Sequence, residues 1–285
     1  MAQQESAWFE AQYNNRARVP EALQILPRWA EASALARSRM TVLPDLAYGG
    51  GPGETLDVFP ARAPGAPVLV FIHGGYWRAL DKSDHSFVAP SFVQAGALVV
   101  VPNYALCPSV GVEDIALQMC RALAWVYQQA ERYGGDPARL HLVGHSAGGH
   151  LAAMLLCTRW HRVGPNLPKR LVAGALSLSG LFDLAPLRQA PFLQADLQLT
   201  EASALRLSPA SFPPPRGPLL ALVGAEESPE FIRQNQLIRQ RWGAGVVPVC
   251  ESLPGLNHFT VMHDLADAAG GAHRHALNLL GLAAD

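Results

Sequence analysis

An α/β fold built on a mostly parallel, doubly wound sheet is the class this sequence predicts. Three observations predict it: near-continuous apolar runs of strand length, amphipathic helical stretches between them, and Gly or Pro at the junctions. The runs are Val68–Ile72, Leu98–Val101, Leu140–Val143, Ala173–Leu178 and Leu219–Val223. Strands lacking a polar face suit a parallel sheet covered on both sides. Between the second and third runs, Glu113–Tyr133 reads as a long helix with Ile115, Met119, Leu123 and Val126 on one side. Gly134-Gly135 ends it.

The remaining segments fit around this frame. Leu43–Tyr48 and Leu56–Phe59 read as an antiparallel opening pair joined by the Gly-rich turn 49–53. Residues 1–40 are helical in pattern, and Pro20 and Pro27 are expected to break them into pieces. The stretch 183–215 is rich in Leu, Ala, Gln and Pro and lacks strand character. It reads as a short helical insertion over one end of the sheet, a lid. A single domain spanning 1–285 is expected, since no composition break divides the chain.

Bulk properties exclude several classes. The 285 residues are 49% hydrophobic, enough for a large core, and the net charge is −1. A basic stripe for nucleic acid is missing; Arg159, Arg162, Lys169 and Arg170 read as a solvated turn. The chain has no run of 18 apolar residues to span a membrane. Its start, MAQQESAWFEAQ, lacks the pattern of a secretory signal. Cys107, Cys120, Cys157 and Cys250 are far apart and show no CxxC spacing, which argues against zinc and against a disulfide framework. Buried free thiols in a reducing cytoplasm are expected. The expected partner is a small-molecule substrate, with no nucleic acid, membrane, metal or organic cofactor. The sequence leaves a monomer or a homodimer open.

The chemistry centres on Gly144-His145-Ser146-Ala147-Gly148, which follows the run Leu140–Val143 and precedes the helix-forming stretch Gly149–Cys157. Roughly one random chain in ten of this length contains G-x-S-x-G, so its placement between strand and helix carries the weight. A sharp strand-to-helix turn lifts the serine hydroxyl out of the sheet, and small neighbours relieve the crowding. Ser146 is therefore the expected nucleophile of an α/β-hydrolase fold. His73-Gly74-Gly75 follows the run Val68–Ile72, where this fold places backbone donors for an oxyanion. Gly74, Gly75 and Ala147 are the expected oxyanion hole, with Tyr76 a further candidate. His73 is expected to brace the loop, and Asn103-Tyr104 to support it.

A serine nucleophile needs a base and the base an orienting acid, in the chain order Ser, acid, His. His258, in the polar stretch Gly255–Phe259 before the last helix, is the expected base. His145 and His150 are expected to be structural; His263, His273 and His275 are expected on the surface of the terminal helix. For the acid, Glu226 and Glu227 follow the run Leu219–Val223, just before Ser228, which can cap a helix opened by Pro229. Spacing does not choose between them, and Asp183 is a weaker rival that could instead anchor the lid. Tyr76 and Trp77 are candidate aromatic walls, and Trp8, Tyr13 and Phe182 candidate lid contacts. Core packing is the alternative for Trp77, Trp8 and Phe182. Tyr76, Trp77 and Phe182 make up the expected substrate-binding set.

His73-Gly74-Gly75-Tyr76-Trp77, Gly144 through Leu151, Glu227-Ser228-Pro229-Glu230-Phe231 and Asn257-His258-Phe259 together resemble the kynurenine formamidase (arylformamidase) family. The likeness runs from about Tyr13-Asn14-Asn15 to the last helix, and the HGGYW string is its most specific part. The resemblance implies an α/β-hydrolase fold with an eight-stranded, mostly parallel sheet. It also implies hydrolysis of N-formyl-L-kynurenine to formate and L-kynurenine. The family usually has Asp-Ser-Pro-Glu-Phe where this chain has Glu-Ser-Pro-Glu-Phe, and that match selects Glu227 over Glu226. Two alternatives stand beside this expectation: a carboxylesterase for short acyl esters, and a hydrolase-fold protein that binds a ligand without turning it over.

Overall fold

The computed structural model describes residues 2–282. Its strands are β1 (Leu43–Ala47), β2 (Thr55–Phe59), β3 (Ala66–Ile72), β4 (Leu98–Pro102), β5 (Gly135–His145), β6 (Gly174–Leu178), β7 (Leu219–Gly224) and β8 (Cys250–Leu253). They form one sheet in the order β1-β2-β4-β3-β5-β6-β7-β8. The pairs β1/β2 and β2/β4 are antiparallel, and all others are parallel. β3 and β5 are therefore central neighbours, and both end at the same edge of the sheet. That brings the HGG segment beside the GHSAG segment.

Alternation along the strands divides the core into two layers. Val68, Val70 and Ile72 of β3 face one layer, with Leu98 and Val100 of β4 and Leu140 and Leu142 of β5. Leu69 and Phe71 face the other, with Val99, Val101 and Val143. The first layer is closed by helices Val112–Gln129, Ala147–Leu156 and Pro229–Trp242. The second is closed by Ala22–Arg39, Ala89–Gln94, Val261–Ala266 and Gly271–Leu280. Burial of each such Val, Leu or Phe side chain contributes about 1.5–3 kcal/mol, which is why uninterrupted apolar runs mark the strands so clearly.

The N-terminal residues and the segment 183–215 sit above the carboxyl edge. Within 183–215 lie the helical pieces Pro186–Gln189, Pro191–Leu197, Glu201–Arg206 and Pro209–Ser211. Helix Ala2–Tyr13 packs against Pro186–Gln189 and Pro229–Trp242. Tyr13 donates its hydroxyl to Glu230 Oε2 at 2.6 Å, and Glu10 Oε2 accepts from the Phe192 amide at 3.3 Å. The N-terminus thus ties the insertion to the main body.

Two expectations are corrected here. Pro27 does not break its helix; it lies inside Ala22–Arg39. The bond it forgoes belongs to the carbonyl of Leu23 in the first turn of the helix, at a residue that is 80% exposed. His273 is not a surface residue. It is buried in helix Gly271–Leu280, against the Phe92 ring, with Nδ1 donating to Leu265 O at 3.0 Å. His263 is exposed, as expected, but lies on the preceding helix Val261–Ala266, where it accepts from Trp29 Nε1 at 3.0 Å.

Candidate active site

Ser146 stands at the turn between β5 and helix Ala147–Leu156, with φ 55° and ψ −117°. A side chain other than Gly rarely adopts that backbone, and such strain persists only where surrounding packing fixes it. Here the Ser146 amide donates to Leu178 O at 2.8 Å, and Gly148 lets the helix approach β3. A Cβ on Gly148 would lie 1.9 Å from Ile72 O, so no larger residue fits.

His258 reaches Ser146 from the loop after β8. Its Nε2 lies 3.1 Å from Ser146 Oγ, and its Nδ1 lies 2.6 Å from Glu227 Oε2. A carboxylate only accepts, so Nδ1 carries the proton and the Nε2 lone pair faces the hydroxyl. Glu227 Oε1 accepts from the Ser179 hydroxyl and from the Gly224 amide at 2.8 Å. Those bonds hold the carboxylate in one orientation. Glu227 is 4% exposed, whereas Glu226 is exposed and turned away. Asp183 lies 3.7 Å from Arg233, and its amide is held by Gln234 Oε1. His145 Nε2 donates to the His258 carbonyl at 2.8 Å, pinning the histidine loop to the serine turn. Burial, aided by neighbouring His258, holds the His145 pKa well below the usual histidine value, so it stays neutral.

The turn after β3 supplies backbone donors. Tyr104 donates to the His73 carbonyl at 2.9 Å, and its hydroxyl lies 3.2 Å from the Gly74 carbonyl. A trans peptide points its N–H opposite to its C=O, so the amides of Gly74 and Gly75 face away from Tyr104. Gly75 lines the cleft that holds Ser146 and His258, and a Cβ on Gly74 would lie 3.1 Å from Ser146 Cβ. Gly75 has φ +103°, and a Cβ there would lie 2.1 Å from Ala79 O. The Ala147 amide opens the helix behind Ser146 and has no intrahelical acceptor. His73 sits between the Gly74 carbonyl, 2.8 Å from Nδ1, and Asn103 Oδ1, 3.1 Å from Nε2. It braces the turn together with Tyr104, whose ring stacks on it at 4.3 Å.

The cleft measures about 340 Å³. Tyr76 lines it, with its hydroxyl donating to Tyr13 O at 2.6 Å. Trp77 and Phe182 do not form its walls. Tyr76 and Trp77 have φ 51° and 56°, and this turn sends Tyr76 to the cleft and Trp77 into the core. The Trp77 ring is 0% exposed and meets His150 edge-on at 4.9 Å. Phe182 is also fully buried in the core, with its amide donating to Gln234. The aromatic walls are instead Trp29, Phe192 and Phe259. Sequence reading missed Trp29 and Phe192 because they come from the N-terminal helix and the insertion, far from any motif. It also missed Ser179, whose one signal is its place at the carboxyl end of β6. Arg78 and Asp196 line the cleft as well.

All four cysteines are free; Cys107 and Cys120 are buried, Cys157 and Cys250 partly so. Burial pushes the Cys107 thiol up to about 11 and the Cys157 thiol to about 12, which makes them poor nucleophiles. Among the described residues, no group of three or more His, Cys, Asp or Glu side chains is placed to hold a metal ion. Among them also, no helix is long and apolar enough to cross a membrane.

A family model described as BD-FAE matches residues 56–196. The crystal structure of a provisionally assigned thioesterase from Silicibacter sp. TM1040 superposes with a TM-score of 0.81 at 28% identity. That match covers 92% of this chain and 97% of the other. Fold and likeness together define a serine hydrolase of the α/β-hydrolase class. Kynurenine formamidase of Danio rerio is 34% identical over 81% of this chain and 80% of its own length. That of Salmo salar is 31% identical over 88% of this chain and 86% of its own. The chain belongs to the kynurenine formamidase family.

Proposed function

We propose that the chain hydrolyses N-formyl-L-kynurenine to L-kynurenine and formate, with Ser146 as nucleophile, His258 as base and Glu227 as its orienting acid. The observation that carries the catalytic reading is the continuous relay from Glu227 through His258 to Ser146 Oγ. Likeness to formamidases along four-fifths of the chain supports the substrate.

The steps follow from the geometry. Ser146 Oγ attacks the formyl carbon while its proton passes to His258 Nε2. Glu227 stabilises the imidazolium and keeps the ring in register. The amides of Gly74, Gly75 and Ala147 receive the oxyanion; loss of one such donor typically costs about 3–4 kcal/mol of barrier. The C–N bond breaks as His258 returns its proton to the aryl amine. Water then gives a proton to His258 and attacks the formyl-serine, releasing formate as Ser146 regains the proton. Tyr76, with Trp29 and Phe192, offers walls for an aryl ring. The segment 183–215 serves as lid within one catalytic unit spanning the chain. Four free cysteines support a reducing, cytoplasmic setting. Assembly as monomer or homodimer is read by sedimentation velocity and leaves the mechanism unchanged, since the proposed groups all lie in one chain.

A second reading, hydrolysis of short acyl esters, is favoured by the likeness to Esterase LipQ of Mycobacterium tuberculosis, 38% identical over 39% of this chain and 28% of its own length. The same relay and amides would serve an ester oxygen as leaving atom. Steady-state rates on N-formyl-L-kynurenine and p-nitrophenyl acetate separate the two. A kcat/KM at least tenfold higher on the formamide is expected; negligible formamide turnover beside fast ester turnover rejects the first reading.

A further inference from the structure

We infer that the cleft carries a clamp for a zwitterionic α-amino-acid tail, with Arg78 receiving the carboxylate and Asp196 the ammonium. This rests on the formamidase reading and names how that substrate's tail is held.

Arg78 belongs to the turn that follows the proposed oxyanion donors, its amide donating to Gly75 O at 3.1 Å. Positive φ at Gly75, Tyr76, Trp77 and Leu80 makes this turn one of few conformations, so Arg78 is fixed relative to Gly75. Asp196 comes from helix Pro191–Leu197 of the insertion. The two side chains form an ion pair, each 30% exposed, and both line the cleft shared with Ser146 and His258. The guanidinium carbon lies 5.4 Å from the Phe192 ring centre.

The pair is a weak stability device, since a solvent-exposed ion pair contributes about 0–1 kcal/mol. As a recognition device it is better suited. Among the described residues, the contact engages Arg78 Nη1 and Asp196 Oδ2, leaving Nε, Nη2 and Oδ1 without a protein partner. A planar guanidinium with spare donors matches a carboxylate. The free Asp196 oxygen matches an ammonium. Besides histidines and the neutral Tyr76, the remaining ionisable group on the cleft wall is Arg16, exposed at its mouth, so the wall carries an excess of positive charge. A neutral acyl ester uses none of these groups, whereas an aryl formamide with an amino-acid tail uses both signs.

The test compares three formamides: N-formyl-L-kynurenine, its analogue lacking the carboxylate and its analogue lacking the ammonium. Wild type, Arg78→Gln and Asp196→Asn are assayed on each, with melting temperatures recorded. Hydrogen bonds to charged groups are worth about 1.5–3 kcal/mol, or roughly 10- to 150-fold. Arg78→Gln is therefore expected to raise KM at least about tenfold on the two substrates that keep the carboxylate, relative to the one that lacks it. Asp196→Asn does the same for the ammonium. Equal losses on all three substrates overturn the inference and leave the pair as a tie holding the insertion. If a variant does not fold, product inhibition of the wild type decides: L-kynurenine is expected to bind about tenfold tighter than its decarboxylated amine, and equal binding overturns the clamp. A wild type that cleaves acyl esters but none of the formamides overturns the formamidase reading, and the clamp with it.

Discussion

Glu226 and Glu227 share a charge and a length and differ by one position, yet their surroundings differ completely. Glu227 is buried and accepts from His258, Ser179 and the Gly224 amide, while Glu226 faces solvent. An amide in place of the Glu227 carboxylate would weaken the hold on the Nδ1–H tautomer and remove the charge facing the imidazolium. Glu227→Gln is expected to lower kcat by about 10²- to 10⁴-fold, in line with the loss seen when a triad carboxylate becomes an amide. Glu226→Gln is expected to stay within about twofold. Steady-state kinetics on both variants checks this, and the reverse ranking would assign the acid to the wrong neighbour. The sequence did not hold this distinction: spacing left the two open, and the family likeness chose between them. The reason is physical, since burial of one carboxylate depends on β6, β7 and the histidine loop meeting in space.

At the scale of elements, the strands were legible and the lining of the cleft was not. Four of the five apolar runs lie within β3, β4, β5 and β7, and Ala173–Leu178 exceeds β6 by its first residue alone, because a strand buried on both faces must be apolar throughout. The strand-to-helix turn at Ser146 was legible because strand, turn and helix are adjacent in sequence. Trp77 and Phe182 were misplaced because a large aromatic residue beside a motif reads the same whether it faces a core or a cleft; the positive-φ turn after Gly75 decides for Trp77. Helix Ala147–Leu156 also has a structural duty. His150 on it donates from Nε2 to Leu207 O at 2.7 Å, tying it to the insertion. Burial lowers the His150 pKa to about 4, and burial with neighbouring His73 lowers that of His85 to about 3. Between an unfolded value near 6.5 and these folded values, the unfolded chain binds protons the native chain does not. Stability from these groups is therefore full above about pH 6.5 and falls as pH drops toward 4. Each such proton steepens the slope by about 1.4 kcal/mol per pH unit. Urea titrations from pH 7.5 to 4 are expected to show that slope, and His150→Gln, which keeps a donor for Leu207 O, to make it shallower. An unchanged slope would mean that His150 takes up its proton in the fold as readily as in the unfolded chain.

At the scale of the whole molecule, the sheet order explains why residues far apart in sequence meet. β3 and β5 are neighbours at the centre, with β6, β7 and β8 following on one side, so the loops after β3, β5, β7 and β8 open on one edge. Those loops carry Gly74 and Gly75, Ser146, Glu227 and His258. The N-terminal helices and the insertion close over that edge and supply Trp29, Phe192 and Asp196 to the cleft. The central claim is that one activated hydroxyl, that of Ser146, forms the acyl intermediate. Intact and peptide-resolved mass spectrometry after treatment with a fluorophosphonate tests it most directly. One adduct per chain, mapped to Ser146 and lost in Ser146→Ala, is the expected result; no adduct, or an adduct that persists in Ser146→Ala, would contradict it.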